Sequence, residues 1–433
     1  MFLLSRLGFD DRSRPPVITI IFRNSGPRKA RRVVYTLTAM SIYDQFGIRT
    51  IINAKGSSTR VSGGFLAPDV TAAMTEAGQY CVDMAELQAR ASTVIAEVTG
   101  AEAGCVTSGA AAGLLLGTAA CVAGLDPSKM GRLPDTRGMK NEVIMVRSQR
   151  NFYDHAVRAT GVKIVEVGLP DRYAGAGVRD AEAWEIAEAI TPNTAAIFYV
   201  ANGNARPPLP AVIDVARKAA VPVLVDAAAQ LPPVSNLKRF INEGADLVAF
   251  SGGKAISGPQ GSGILCGKHD LIMSAILQNL DLDIDWDLWT PPPFFIDKAR
   301  LKGLPQHGIG RTCKVGKETI IGLLVALRQF AGETDTARQA RFGSITNKLQ
   351  AATGSLRHAT VVVQDGTTPR MVITVQPSAP ATAREICLAL QTGNPPIQAD
   401  PSRVDQGQIG FNPTCLRPED PERIARRLRE LLG

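Results

Sequence analysis

Between residues 91 and 266 short apolar runs alternate with helix-like stretches, and this alternation constrains the fold more than any other feature. Residues 142–147 (EVIMVR), 163–167 (KIVEV), 195–200 (AAIFYV), 221–226 (VPVLVD) and 246–251 (DLVAFS) have strand length. Several are apolar on both faces, as strands buried in a parallel sheet must be. Helical stretches at 180–190 and 211–219 separate them. Repeated strand–helix–strand units predict an α/β layer around a mostly parallel sheet.

Later residues change character. A turn at 310 feeds a long apolar helix to 331, which joins this layer to a smaller α+β unit. That unit has expected strands at 360–364 and 371–376 and helices at 381–391 and 421–432. The expected organisation is an extension over 1–39, an N-terminal segment over 40–90, a large domain over 91–310, a linking helix over 311–335 and a small domain over 336–433. The proline-rich 289–295 (WTPPPFF) reads as a loop over a site or interface.

The net charge of +8 suggests nucleic-acid binding until it is located. Residues 1–39 carry eight basic and two acidic side chains, which leaves +2 for the rest. A broad basic face is therefore not expected. The extension reads as a disordered tail or an over-extended start, since it lacks the period and composition of a targeting peptide. No stretch has the roughly 18 uninterrupted apolar residues of a membrane span. Seven scattered cysteines without a Cys-x-x-Cys pair argue against a metal site or disulfide framework, and for a cytoplasmic protein.

Three elements at strand ends carry the chemistry, where open α/β sheets bind their ligands. Thr107-Ser108-Gly109-Ala110 opens an apolar helix, so small residues and free N–H groups face an anion. Alone it equally suits close helix packing. Asp226 closes a buried strand and is followed by the small Ala228. A carboxylate there needs a cationic partner, such as a protonated pyridine nitrogen; the plainer reading is a helix cap or salt bridge. Ser251-Gly252-Gly253-Lys254 ends the next strand, and a lysine leaving a buried strand is placed to be desolvated and near neutral.

The order of these elements, with 28 residues from Asp226 to Lys254, resembles the fold-type-I pyridoxal 5′-phosphate (PLP) enzymes. Ile52-Asn53-Ala54-Lys55-Gly56 with Thr59, Glu86-Leu87-Gln88 and Thr99-Gly100-Ala101-Glu102 look like the selenocysteine-synthase-like branch, close to its ammonia-lyases. The resemblance implies an aspartate-aminotransferase-like fold and Lys254 as Schiff-base lysine and acid/base. It further implies that Asp226 holds the pyridine nitrogen and that Ser108, Gly109, Ala110 and Ser251 surround the phosphate, with Ala228 under the ring. For the other ring face Gln149, Tyr153 and His155 are candidates, because 148–155 departs from the relatives' Ser-Arg-Gly-Glu. Asn202 is a candidate for the ring hydroxyl, or a turn residue. Asn53, Thr59, Arg311 and Arg370 are candidate substrate contacts, Arg370 as a carboxylate clamp.

The implied activity is elimination from a small polar 2-amino acid by a homodimer or larger homo-oligomer, without membrane or nucleic acid. Racemisation is the alternative, and selenium transfer to seryl-tRNA has less support. A non-catalytic binding role is opposed by the intact Asp226 and Lys254 elements.

Overall fold

A computed structural model describes residues 41–169, 180–354 and 356–433, and the backbone of two earlier strands. Those strands, β1 (Val17–Ile21) and β2 (Arg32–Thr36), pair antiparallel within the segment expected as an extension. β3 (Ile52–Asn53) follows, and then the large sheet: β4 (Ala103–Thr107), β5 (Glu142–Val146), β6 (Lys163–Val167), β7 (Thr194–Val200), β8 (Val223–Asp226), β9 (Leu247–Ser251) and β10 (Gly263–Gly267).

The seven strands lie in the order β4-β10-β9-β8-β7-β5-β6. All pairs are parallel except those of β10, which runs antiparallel to both β9 and β4. Side chains alternate between two apolar layers. Val223, Val225, Val248 and Phe250 face helices Met84–Thr99 and Lys317–Gly332. Leu224, Leu247, Ala249 and Leu265 face the opposite layer, which contains helix Ala110–Ala123. By the strand's period of two, Asp226 and Ser251 project toward that second layer. Buried Gln88 fixes the β4 edge, since its amide accepts from Val106 N and donates to Val106 O.

The C-terminal part builds a three-stranded antiparallel sheet from β11 (Ala359–Gln364), β12 (Arg370–Val375) and β14 (Gln408–Phe411). β13 (Ile397–Gln398) instead pairs in parallel with β3, drawing the early segment into this unit. Met371, Ile373, Ile409 and Phe411 form its buried face with helix Asp420–Leu432. The stretch 289–295 also contributes to a core: Trp289 and Phe295 are buried in the second layer of the large sheet. No helix among the described residues is long and apolar enough to cross a membrane.

Candidate active site

Sheet register places the ends of β4, β9, β8 and β7 and the start of β10 side by side. Thr107 pairs with Gly263, Gly263 with Ser251, Ala249 with Asp226, and Asp226 with Val200. Ser108–Ala110, Asp226 and Ser251–Lys254 therefore share one rim, as their positions in the sequence implied.

The first wall is the turn from β4 into helix Ala110–Ala123. Gly109 has φ +93°, a left-handed value that disfavours any side chain. Strand β10 approaches this turn so closely that a Cβ on Gly263 would lie 2.4 Å from the Gly109 carbonyl carbon and 2.6 Å from Ala110 N. The Ser108 hydroxyl donates to Cys313 O at 2.9 Å, which ties the turn to the 3-10 helix Ile309–Cys313. Asn279 braces the same helix by donating to Gly310 O and Cys313 O. Neither Gly263 nor Asn279 stood out from sequence; the glycine run 257–261 ends just short of Gly263.

At the centre Asp226 is 8% exposed, and its Oδ1 accepts from Ala228 N at 3.0 Å. Burial pushes its carboxyl above the usual carboxylate range, against the Ala228 N–H and the Lys254 charge. Lys254 is half-buried, and burial holds its ammonium below the usual lysine range although Asp226 opposes this. Among the described residues no contact ion pair joins them, so they interact at longer range. A carboxylate so buried is stabilised by a cation, and a half-buried lysine at a strand end is predisposed to its neutral, nucleophilic form. These groups, with the small-residue turn, fit an aromatic cofactor that has a cationic ring nitrogen, an aldehyde and a phosphate.

The remaining candidates divide. Gln149 is buried; its Oε1 accepts from Val200 N at 2.9 Å and its Nε2 donates to Arg206 O at 3.4 Å, so it fastens β5 to β7. Tyr153 and His155 are exposed, and His155 Nδ1 lies 3.2 Å from Phe152 O. Exposed Asn202 accepts from Asn204 N, as a turn residue does. Buried Asn53 donates to Gly56 O and Gly63 O, organising the loop after β3, while Thr59 receives the Gln260 amide at 3.0 Å. Arg311 is paired with Asp281 at 2.6 Å. Arg370 is exposed at the head of β12, in the C-terminal unit.

The chain as a whole is similar to known proteins. The family model described as aminotransferase class-V matches residues 146–279, from the end of β5 past Lys254. A 5′-C-glycyluridine monooxygenase-decarboxylase of Streptomyces sp. is 31% identical over 405 residues, covering 90% of this chain and 92% of its own length. A D-glucosaminate-6-phosphate ammonia lyase of Salmonella typhimurium is 28% identical over 402 residues, covering 90% and 98%. A solved structure of D-glucosaminate-6-phosphate ammonia-lyase superposes with a TM-score of 0.76 at 26% identity, covering 91% of this chain and 99% of that one. An L-seryl-tRNA(Sec) selenium transferase of Moorella thermoacetica is 25% identical over 429 residues, covering 89% and 82%. The chain belongs to the fold-type-I, PLP-dependent enzymes of the class-V aminotransferase type, in their selenocysteine-synthase-like branch.

Proposed function

We propose that this PLP enzyme is a carbon–nitrogen lyase that takes a small polar 2-amino acid to a 2-oxo acid and ammonia. The observation that carries the reading is Lys254, half-buried at the end of β9 with its ammonium disfavoured, on the same rim as the buried Asp226. When bound, PLP supplies an electron sink that makes the α-proton of an attached amino acid removable.

In this reading Lys254 would anchor the cofactor through Nζ, and its amine would then take the substrate α-proton. Asp226 keeps the ring nitrogen protonated. The turn Ser108–Ala110 and Ser251 would hold its phosphate, and the small Ala228 would leave room for the ring. Lys254 would pass that proton to the departing β-hydroxyl, which would leave as water, and the released enamine would hydrolyse to the 2-oxo acid and ammonia.

Racemisation needs a second acid across the ring. Tyr153 and His155 are exposed, which gives that alternative less support. Selenium transfer has less support again, since the net charge outside residues 1–39 is small. We infer a small-molecule substrate and a homo-oligomer, consistent with the apolar exposure of Ile42, Tyr43, Phe46 and Ile48. Seven free cysteines agree with a cytoplasmic setting.

The test is to incubate the PLP-loaded protein with β-hydroxy 2-amino acids, including D-glucosaminate 6-phosphate, and to assay ammonia and 2-oxo acid. Equimolar formation of both is expected, and no product from any of them overturns the reading. The Streptomyces relative favours a second reading, loss of the substrate carboxyl with consumption of dioxygen. Oxygen uptake matched by carbon dioxide release, without 2-oxo acid, would establish it in place of elimination.

A further inference from the structure

The outer face of the C-terminal sheet holds a cleft of about 100 Å³ that the machinery above does not use. Its lining includes Arg370, Arg403, Ser402, Gln408 and Asn412. Arg370 stands at the head of β12, paired with Gln364 of β11. Arg403 precedes a 3-10 turn and is anchored by its carbonyl, which accepts from Gln406 N and Gln408 N. Among the described residues neither guanidinium has a carboxylate in ion-pair range. Asp400 also lines the cleft, but its Oδ1 accepts from Ser402 N. Gln408 adds a buried amide oxygen that has no hydrogen-bond partner.

Two unpaired guanidiniums in one cleft form a site for an oxyanion, because planar forks of N–H donors match carboxylate and phosphate oxygens. The lone Gln408 acceptor adds a place for a hydroxyl or N–H on the same ligand.

Loop packing connects this cleft to the active site. Asn412, in the lining, packs against Gly56 closely enough that a Cβ there would meet its side chain at 2.8 Å. Asn53 ties Gly56 to Gly63 by donating to both carbonyls. A Cβ on Gly63 would in turn lie 3.3 Å from the carbonyl of Gly253, the residue before Lys254. One loop thus has the arginine cleft at one end and the lysine turn at the other.

We propose that Arg370 and Arg403 bind the distal oxyanion of the substrate, so that the enzyme selects 2-amino acids whose polar side chain ends in a phosphate or carboxylate. The proposal rests on the amino-acid reading above. It assigns Arg370 to the far end of the substrate rather than to its α-carboxylate.

Its test is calorimetric titration of the PLP-loaded full chain, whose phosphate turn is already filled, with inorganic phosphate and separately with glutarate. Saturable 1:1 binding of at least one probe is expected. Arg370→Gln and Arg403→Gln should each weaken it by about tenfold or more, and the double variant should abolish it. Both arginines are exposed, so melting temperatures should match wild type and exclude misfolding. Preference for phosphate indicates a phosphorylated tail, and preference for glutarate a carboxylate tail. No binding of either probe, or equal binding by wild type and double variant, overturns the proposal. So does an equal loss of affinity for glycine, read from the visible absorbance of the bound cofactor, which assigns the pair to the α-carboxylate. None of these readouts needs turnover, so a failed ammonia assay leaves the test intact.

Discussion

At the rim of the large sheet two opposite charges, Asp226 and Lys254, are drawn out of water; on the outer face of the small sheet two like charges, Arg370 and Arg403, stay exposed to it. Burial makes the first pair reactive, because desolvation pushes each group toward its neutral form. Exposure leaves the second pair open to a ligand, and the planar donor forks of two guanidiniums suit recognition. Chemistry and selection would then occupy separate sheets, linked by the 53–64 loop.

The comparison breaks most sharply at Lys254. Lys254→Ala should lose turnover by at least about 10³-fold and lose the visible absorbance of covalently held cofactor. Retained turnover and absorbance would remove lysine from the chemistry. If Asp226 faces the ring nitrogen as proposed, Asp226→Asn should lower kcat by about 10²-fold or more while cofactor remains attached. A change confined to KM would mean that Asp226 behaves as the arginines do, in recognition, and the contrast between the two regions would fail.

Much of the first region was legible in the sequence and little of the second. Apolar runs ending in Asp226 and Ser251 announce buried strands, and the order and spacing of Asp226 and Lys254 at such ends, rather than either residue alone, point to a site. The course of β10 was not legible: Gly263–Gly267 is short and glycine-bounded, and nothing local says that it runs antiparallel between β9 and β4. Helix Asp335–Thr353 escaped notice because its buried positions are Arg338, Phe342, Thr346, Leu349 and Thr353. Their spacing is helical, but only two are apolar; Arg338 is buried through Asp335, Glu333 and the Phe330 ring. Gln149 and Asn53 are polar residues near strand ends, where sequence cannot separate ligand contacts from backbone ties, and both side chains hydrogen-bond backbone groups here. Arg403 lies in an irregular segment whose relation to Arg370 arises only when β14 pairs with β12.

A smaller effect sharpens the steric half of the contrast. Gly263→Ala would put a methyl group against the Gly109 carbonyl carbon, and this packed backbone can yield only by moving the turn into helix Ala110–Ala123. The expected cost is about 1–3 kcal/mol of stability. Affinity for PLP should fall, while affinity for the oxyanion probes in the arginine cleft should not. Equal loss at both places would show that the sheets respond as one unit.

The smallest effect concerns charge in the cofactor-free protein. Because the folded-state value of Asp226 is raised, its contribution to stability is full below the ordinary 3.8 and is lost as pH rises through the raised value. The folded-state value of Lys254 is lowered, so its contribution is full above the ordinary 10.5 and is lost as pH falls through the lowered value. Between these limits both groups penalise the cofactor-free fold, and in the proposed site PLP would relieve the penalty by giving Asp226 a cationic partner and Lys254 a neutral linkage. Cofactor-free Asp226→Asn should therefore gain melting temperature relative to wild type as pH rises from the acid range toward neutrality. With PLP bound the difference should shrink or reverse, because the asparagine no longer offers the ring nitrogen a negative charge. A pH-independent difference for Asp226→Asn would mean that its carboxyl is not perturbed by burial, and the division between a reactive sheet and a recognising one would lose its electrostatic basis.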